Sequence, residues 1–454
     1  MGAGNGPVVR IVIVGAGFAG LAAVDALVGS GAEVTLVDRH PYSTFQPLLY
    51  QVATAGLTSA DVAYPLWAVV RKRRARFRRG ELTGIDRAAS ELELADGSRL
   101  GYDYLILTTG VSAAFFGVTG AAEHAMSLYT RHDAVVLRDE LLADLEQLAA
   151  SPADELNITV VGGGATGVEL AGTLAELRNI ALPATFPEIE QDRVHVRLIE
   201  ATDVLLGPFA PGLRDYTLRQ LLDRGVEVRL GSAIREVREQ EVELADGEVL
   251  PSDITAWAAG VAGPAGTSAL GLPTGRGGRI VTGPDLRVQG EERIFAAGDI
   301  ALIEDNPQPQ LAQPAIQQGR HAAAQIRRLM HGRATTGFSY KDKGIMATIG
   351  RRSAVVQLPS RVKIKGTLAW LAWLVLHLVT LLGHRNRLAA LVNLSWRYLT
   401  WSKGGGVIIG DETPPPRHYW PSSAPPGEAA RGEVARGEAA AGEAPASKRD
   451  LIGR

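Results

Sequence analysis

The hydrophobic pattern opens with a short apolar run that leads directly into a glycine-rich turn. Ile11–Val14 is β-branched and short, which is typical of a strand buried on both faces. The turn Gly15-Ala16-Gly17-Phe18-Ala19-Gly20 follows, then a predicted helix over Leu21–Val28 and a strand over Glu33–Val37 that ends at Asp38. This order of strand, glycine turn, helix, strand and acid is typical of a domain that binds a dinucleotide.

Each part of this unit has its own physical role. Gly15 permits the tight turn, Gly17 lets the backbone approach a pyrophosphate, and Gly20 allows the helix to pack closely on the strand. Free N–H groups at the start of the helix favour phosphate. We expect Asp38 to accept a hydrogen bond from a ribose 2′-hydroxyl. The alternative is an ordinary tight turn between a strand and a helix.

The same pattern occurs a second time along the chain. A predicted strand over Asn157–Val161 leads into Gly162-Gly163-Gly164-Ala165-Thr166-Gly167 and a helix over Val168–Leu177. After an insertion with two prolines, a strand over Val194–Ile199 ends at Glu200. A small hairpin and a buried strand ending at a glycine follow each unit, which indicates an internal duplication. Two dinucleotide sites in one enzyme usually hold a flavin and a nicotinamide.

A third segment is predicted to return the chain to the first domain. The strand that begins at Arg293 ends at Gly298-Asp299, where Asp299 is placed to contact the ribityl chain of a flavin. A helix over Ala312–Met330 follows, and the negative charge of a reduced flavin would favour its N-terminal end. Gln313 and Gln317 share one face of this helix, although glutamines on a surface would show the same spacing.

These patterns predict an α/β fold with two Rossmann-like dinucleotide-binding domains. We expect an FAD-binding domain split into residues 8–112 and 287–335, with an NADH-binding domain inserted at 113–286. A C-terminal strand and amphipathic helical region occupies 336–410. The Pro-rich and Gly-Glu-Ala-rich tail at 411–454 cannot build a core and is predicted to be disordered.

The C-terminal region has a composition suited to a membrane surface. Leu368–Leu382 is an apolar run of fifteen residues, shorter than the roughly 20 residues that span a bilayer. An amphipathic helix is predicted over Arg387–Trp401, and four of the seven tryptophans lie between residues 370 and 401. We therefore predict two helices that lie in the membrane interface. A helical hairpin buried at a dimer interface is the alternative, and both can hold together.

Composition narrows the chemistry. The 454 residues contain 47 basic and 49 acidic side chains, so the net charge does not indicate a nucleic-acid partner. The absence of cysteine excludes disulfide exchange and cysteine-ligated metal clusters. Nine scattered histidines show no metal-ligand spacing, so no metal site is predicted. The N-terminal segment has no signal-peptide pattern, and we expect the active part to face the cytoplasm.

Two stretches each allow two interpretations. Residues 39–56 form either a plain crossover or a segment folded over the flavin. Arg71–Arg79 has seven basic side chains in nine positions. This run is either a solvated strand face or a surface that attracts anionic lipid headgroups.

The motifs together resemble the type II NADH dehydrogenases, which are NADH:quinone oxidoreductases of the two-dinucleotide-binding-domain flavoprotein superfamily and do not pump protons. The resemblance covers roughly residues 8–410. The two glycine turns, Thr108-Thr109-Gly110 and Ala296-Ala297-Gly298-Asp299 carry the superfamily pattern. Ala312-Gln313-Pro314-Ala315-Ile316-Gln317 fits the family's AQxAxQ signature, Phe45-Gln46-Pro47-Leu48-Leu49-Tyr50 its FxPLL segment, and residues 377–401 its membrane-anchoring end. The chain departs from the family pattern in its tail and at Asp38, where many relatives carry glutamate.

The resemblance implies a set of site residues. Non-covalent FAD would be bound by Gly15, Gly17, Phe18, Ala19, Gly20, Asp38, Arg39, Thr109, Gly110, Asp299, Ala312 and Gln313. NADH would be bound by Gly162, Gly164, Gly167, Glu169, Glu200 and Gly260. Glu169 would lie at the contact between nicotinamide and flavin, while Gln317 and Gln313 would face the quinone. A carboxylate at position 200 would repel a 2′-phosphate and favour NADH over NADPH.

The implied activity transfers a hydride from NADH to the flavin, and the electron pair then reduces a membrane quinone, menaquinone or ubiquinone. The implied partners are the membrane lipid surface and a second copy in a homodimer, at the cytoplasmic face of the cell membrane. Disulfide reductases and sulfide:quinone reductases are excluded because they depend on cysteine. A reductase of a soluble carrier, or a membrane-associated interaction or signalling flavoprotein with incidental NADH oxidation, stays as an alternative.

Overall fold

The computed structural model describes residues 8–400, with side chains as far as residue 396. The predicted disordered tail at 411–454 and Trp401, where the last helix was expected to end, lie outside the described residues.

The first part of the chain alternates strands with short helices. The β-branched run after residue 10 forms the first strand, with its last four residues buried. The elements of this part are β1 (Arg10–Val14), α1 (Phe18–Leu27), β2 (Glu33–Asp38), β3 (Tyr42–Thr44), α2 (Leu49–Ala53), β4 (Ala63–Pro65), α3 (Leu66–Arg73), β5 (Arg76–Arg79), β6 (Leu82–Asp86), β7 (Glu91–Leu94), β8 (Arg99–Gly101), β9 (Tyr104–Leu107) and β10 (Ser112–Ala113). Residues 39–56 therefore contain a short strand and helical turns.

The middle part repeats this organisation. Its longest helix starts with a capping box in which Thr130 and Asp133 bond each other's backbone N–H groups. The elements are α4 (Ala121–His124), β11 (Met126–Ser127), α5 (Arg131–Ala150), β12 (Leu156–Val161), α6 (Ala165–Glu176), α7 (Leu182–Thr185), β13 (Val194–Ile199), α8 (Pro211–Leu222), β14 (Glu227–Arg229), β15 (Ile234–Val237), β16 (Glu241–Leu244), β17 (Val249–Pro251), β18 (Ile254–Trp257) and β19 (Val261–Ala262).

The last part adds strands to the core and ends in helices. Its elements are β20 (Ile280–Thr282), β21 (Ile294–Ala296), β22 (Ala301–Ile303), α9 (Ala312–Met330), β23 (Ile345–Gly350), β24 (Ser353–Gln357), β25 (Lys363–Lys365), α10 (Thr367–Thr380) and α11 (His384–Thr400). Across residues 8–400, none of the helices combines the length and apolar character needed to cross a bilayer.

Two five-stranded parallel sheets form the two halves of the molecule. The first has the strand order β21-β9-β1-β2-β5, and the second has the order β11-β18-β12-β13-β14. Since β21 comes from the end of the chain and pairs with β9, the first domain is split and the second is inserted into it. This confirms the predicted fold class. Both glycine turns lie at the carboxyl ends of their strands, where such sheets bind ligands.

A two-stranded antiparallel ribbon joins the two halves. β10 follows the first sheet and β19 follows the second, and the two strands pair with each other. The N–H of Ala114 extends this pairing by donating to the carbonyl of Gly260, at 3.0 Å. The carboxyl ends of β9 and β18 are therefore linked within a few residues of both glycine turns.

The basic run at residues 71–79 is divided between two elements. It begins in the last turn of α3, passes through Arg74 with a positive φ of 54°, and continues along β5. Arg73 pairs with Asp25, Arg76 with Glu33, and Arg78 with Asp96. The interpretation of the run as one strand face was wrong, because the left-handed residue ends the helix and starts the strand.

Helices after the glycine turns start earlier than the sequence pattern predicts. α1 begins at Phe18 rather than Leu21, and α6 begins at Ala165 rather than Val168. In each case the third glycine of the motif lies inside the first helical turn, where a Cβ would clash with the carbonyl of the first glycine of the motif. α11 likewise starts at His384, before the predicted Arg387.

Candidate functional site

The three glycines of the first turn have the distinct environments that dinucleotide binding requires. Gly15 has a φ of 103°, and a Cβ there would clash with the carbonyl of Thr108. A Cβ at Gly20 would clash with the carbonyl oxygen of Gly15. A Cβ on Gly17 would instead have no neighbouring atom within 4 Å, so the backbone at this glycine faces open space. A pyrophosphate fits at this open middle position.

The second turn reproduces this arrangement. Gly162 has a φ of 110°, and a Cβ there would meet the carbonyl oxygen of Ala258 at 2.6 Å. A Cβ at Gly167 would clash with the carbonyl of Gly162, whereas Gly164 again faces open space. The two motifs therefore provide two equivalent phosphate cradles, one on each sheet.

The acid at the end of the second strand binds the glycine turn in both halves. Asp38 accepts hydrogen bonds at 2.7 Å from the backbone N–H groups of Ala16 and His40. Glu200 accepts equivalent bonds from Gly163 at 2.5 Å and Thr202 at 2.7 Å. Burial raises the pKa of Asp38, and the two backbone bonds partly oppose this rise. The ribose contact predicted for each acid stays a prediction, while the link to the turn is an additional role.

A polar cluster surrounds Asp299 where β21 ends. Burial raises the pKa of Asp299 to about 6, partly offset by the charge of Arg279. Burial also raises the pKa of Tyr129 to about 12, and the nearby Asp299 adds to this rise. A Cβ on Gly110 would lie 3.6 Å from the Tyr129 hydroxyl. The same hydroxyl hydrogen-bonds with the side chain of Gln46. Five separate segments of the chain thus meet at this cluster.

The glutamines of α9 hold neighbouring backbone segments. Gln318 accepts a hydrogen bond at 2.7 Å from the N–H of Gly298, next to Asp299. Gln317 donates to the carbonyl and accepts from the N–H of Lys341, both at 3.0 Å. Gln317 therefore fixes the segment that follows α9, and its predicted contact with a quinone stays a prediction, as does that of Gln313.

Glu169 is a buried carboxyl group on α6, two residues after the last glycine of the second motif. It accepts a hydrogen bond at 3.2 Å from the N–H of Thr348 on β23. It also hydrogen-bonds with the side chain of Trp373 on α10. Burial raises the pKa of Glu169 to about 8, although both hydrogen bonds lower it. The group is therefore mostly protonated at neutral pH, which suits a carboxyl group that exchanges protons.

A row of aromatic rings leads from Glu169 to the first glycine turn. Trp373 stacks on His377 with ring centroids 4.0 Å apart. His377 meets the edge of Phe45 at 6.1 Å, and Phe45 meets Phe18 at 5.9 Å. Burial lowers the pKa of His377 to about 4, so this imidazole is neutral at neutral pH. The C-terminal helix α10 therefore contacts elements of both halves.

A cavity of about 220 Å³ lies between the first glycine turn and the C-terminal helices. Its lining includes Phe18 and Phe45, Ile316 and Arg320 of α9, and Leu381 and Asn386 near the C-terminal helices. Its lining is mainly apolar with a few polar groups, which is typical of a small-molecule site.

The structure gathers most predicted residues into two groups. Phe18, Ala19, Arg39, Thr109 and Ala312 lie at the carboxyl edge of the first sheet or on α1 and α9, and Gly260 lies at the edge of the second. The sequence did not identify the roles of Trp373, His377, Thr348, Tyr129 and Gln46. The spacing of Trp373 and His377 by one helical turn is a signal for a shared face, but that face points into the protein.

The fold and the paired glycine turns define a dinucleotide-dependent oxidoreductase. The profile of the pyridine nucleotide-disulphide oxidoreductase family matches residues 9–319. The type II NADH:quinone oxidoreductase Ndh of Mycobacterium tuberculosis is 35% identical over 428 residues, covering 89% of this chain and 90% of that protein. The type II NADH:quinone oxidoreductase of Staphylococcus haemolyticus is 32% identical over 363 residues, covering 76% of this chain and 89% of that protein.

Solved structures show the same fold. NDH2 of Plasmodium falciparum, determined in complex with NADH, superimposes with a TM-score of 0.80 at 20% identity, covering 88% of this chain and 99% of that chain. The sulfide:quinone oxidoreductase of Aquifex aeolicus superimposes with a TM-score of 0.70 at 17% identity, covering 87% of this chain and 96% of that chain. The chain belongs to the type II NADH:quinone oxidoreductase family.

Proposed function

We propose that this protein is an FAD-dependent NADH:quinone oxidoreductase that works at a membrane surface and does not pump protons. The proposal joins its family membership to the geometry of two cradles and one apolar cavity. A homodimer, and the choice between menaquinone and ubiquinone, stay predictions.

The first cradle fits FAD. Gly15, Gly17, Gly20 and Asp38 would hold its pyrophosphate and adenosine ribose, while Gly110 and Asp299 would lie along its flavin end. When bound, FAD supplies an isoalloxazine ring that accepts a hydride from NADH and transfers the electron pair to a quinone. The buried Asp299 and the N-terminus of α9 provide the polar surroundings at that end.

The second cradle fits NADH. Gly162, Gly164 and Gly167 would bind its pyrophosphate, and Glu200 would face its adenosine ribose. Because Glu200 is already bonded to Gly163 and Thr202, its carboxylate is fixed in position. A fixed negative charge there disfavours the 2′-phosphate of NADPH.

The observation that carries the quinone assignment is the apolar cavity between Phe18, Ile316 and Leu381. It reaches from the first glycine turn to the two helices that expose the most apolar surface. A quinone that leaves the lipid could therefore reach the flavin side without crossing water, while NADH uses the other domain. Glu169, mostly protonated at neutral pH, is placed between the two halves to hold a proton.

The membrane assignment is supported by the outward faces of α10 and α11. Large apolar side chains are exposed there: Leu368, Leu371, Val375, Leu376, Val379, Leu388, Leu391, Val392 and Trp396. Such a continuous apolar surface is typical of a helix that lies in the lipid interface. The exposed Arg385 at the start of α11 suits anionic headgroups.

The function is tested with the purified full chain. We expect a yellow protein with a flavin absorption spectrum that NADH bleaches and a menaquinone or ubiquinone analogue restores. NADH oxidation should rise strongly when quinone is added in detergent. Turnover independent of quinone would instead favour the interaction or signalling flavoprotein. Reconstitution into vesicles with a pH-sensitive dye tests for pumping, and a proton gradient during turnover would contradict that part.

The preference for NADH is tested at Glu200. A Glu200→Gln variant loses the charge and keeps one oxygen, which can accept one of the two hydrogen bonds from Gly163 and Thr202. We expect the ratio of kcat/KM for NADPH to that for NADH to rise about tenfold, since removal of a close like charge is worth on the order of 1 kcal/mol. Glu146→Gln, an exposed change on α5, is the matched control. An unchanged ratio would contradict the assigned role.

A further inference from the structure

We propose that the ring of Phe116 forms one wall of the dinucleotide site and packs against the nicotinamide half of NADH. The inference deepens the proposed function and rests on it. Phe116 has a strained backbone conformation and an exposed ring, and neither feature stabilises the fold.

Phe116 occupies a backbone position that disfavours an aromatic residue. It is the first central residue of a turn closed by a hydrogen bond from the N–H of Val118 to the carbonyl of Phe115, at 3.0 Å. The φ values of Phe116 and Gly117 are 52° and 73°. Turns with two positive φ values are usually occupied by Asn, Asp or Gly. A bulky residue in this conformation is strained, and such strain is often found where a protein holds a ligand.

Burial does not compensate for this strain. Phe116 is 68% exposed, whereas the preceding Phe115 packs on Trp257 with ring centroids 5.6 Å apart. Trp257 in turn donates a hydrogen bond at 2.8 Å to the carbonyl of Ala114. The residues before the turn are therefore anchored to Trp257 on β18, which positions Phe116 beside that strand.

The ring lies at the edge of the second glycine cradle. A Cβ on Gly260 would lie 2.7 Å from the Cζ atom of Phe116, so the ring lies directly against this glycine, whose φ of 155° disfavours other residues. Gly260 follows β18. A Cβ on Gly162, the first glycine of the cradle, would lie 2.7 Å from the Cα of the neighbouring Ala259. The ring of Phe116, Gly260 and the second glycine cradle are therefore neighbours along one surface.

The strand order indicates which half of NADH meets this surface. Glu200 at the end of β13 faces the adenosine half, and the glycine turn after β12 holds the pyrophosphate. β18 lies on the other side of β12 and continues into the ribbon that joins the first domain. A dinucleotide laid across this edge places its nicotinamide half beside β18, where the Phe116 ring can cover it.

The test uses two ligands and a variant that relieves the strain. Phe116→Asn places a preferred residue in the turn, so we expect an equal or higher Tm together with about tenfold weaker NAD⁺ binding by calorimetry. ADP-ribose, which lacks nicotinamide, should bind with unchanged affinity. Phe116→Tyr should restore NAD⁺ binding, and the KM for a short-chain quinone should not change.

The control is Ser90→Gly, which relieves the same kind of strain in a residue with a φ of 54° between β6 and β7. It should leave NAD⁺ affinity unchanged. A lower Tm for Phe116→Asn, or equal weakening of NAD⁺ and ADP-ribose, would show a structural role and overturn the inference. Unchanged NAD⁺ affinity in Phe116→Asn would overturn it as well. If the unaltered protein binds no NAD⁺, the proposed function itself fails.

Discussion

At the scale of single residues, Glu169 is a buried acid whose protonation state depends on the fold around it. Its pKa rises from the ordinary value of 4.5 to about 8 because α6, β23 and α10 together exclude water from it. The folded protein therefore binds this proton more tightly than the unfolded chain does. As a result, Glu169 lowers the free energy of unfolding as the pH rises from about 4.5 to about 8.

We predict that Glu169→Gln, which imitates the protonated acid, removes this pH dependence. The wild-type Tm should fall relative to that of the variant between about pH 4.5 and about pH 8. The corresponding loss in the free energy of unfolding is on the order of a few kcal/mol. Thermal unfolding followed by circular dichroism measures this difference. Glu146→Gln, an exposed change, should keep the wild-type slope. A parallel pH dependence in wild type and Glu169→Gln would mean that the carboxyl group is ionised throughout.

At the scale of elements, different glycines of one turn serve ligand binding and folding. Gly17 has a φ of −78° and faces open space, so alanine fits there without strain. We predict that Gly17→Ala folds with a Tm close to wild type but loses most of its FAD, because the methyl group occupies the phosphate position. Absorbance of the purified protein gives the flavin content.

Gly20→Ala is the matched comparison, since it adds the same methyl group one helical turn away. Its Cβ would clash with the carbonyl of Gly15. We expect a loss of stability of about 2 kcal/mol or more from overpacking, measured by denaturant unfolding of the apoprotein. Equal stability of the two variants would contradict the distinct environments of the two glycines.

The sequence predicted these elements well because their signals are local. Each apolar run, its glycine turn and the acid that follows, Asp38 or Glu200, lie within one strand–turn–helix–strand unit, and the structure contains both units. The sequence could not predict the bond between Glu169 and Trp373, because it joins residues far apart through the packing of α10. Trp373 and His377 looked suited to lipid, and only the tertiary fold shows that they face inwards.

At the scale of the whole molecule, the exposed apolar faces of α10 and α11 predict membrane binding. Leu368, Leu371 and Val375 are exposed, with Leu368 72% exposed. Changing all three to serine should reduce the bound fraction on phosphatidylcholine–phosphatidylglycerol vesicles about tenfold or more, because each side chain contributes roughly 1 kcal/mol or more of apolar transfer. Sedimentation with the vesicles measures binding.

The control makes the same change at exposed apolar residues elsewhere, namely Val28, Val136 and Leu222. This variant should sediment with vesicles as wild type does. Flavin content should be unchanged in both variants, since none of the six residues lines the cradles. Undiminished sedimentation of the α10 variant would leave the hairpin at a dimer interface as the better interpretation of these helices.

The position of α10 has a practical consequence for purification. Its outer surface would be coated by any amphiphile used for extraction, while its inner surface carries the indole that bonds Glu169. A harsh surfactant that loosens this helix would uncover the acid, let water reach it and shift its proton affinity downwards. Specific activity should therefore depend on the choice of solubilising agent, and exchange into lipid nanodiscs should recover activity lost during extraction.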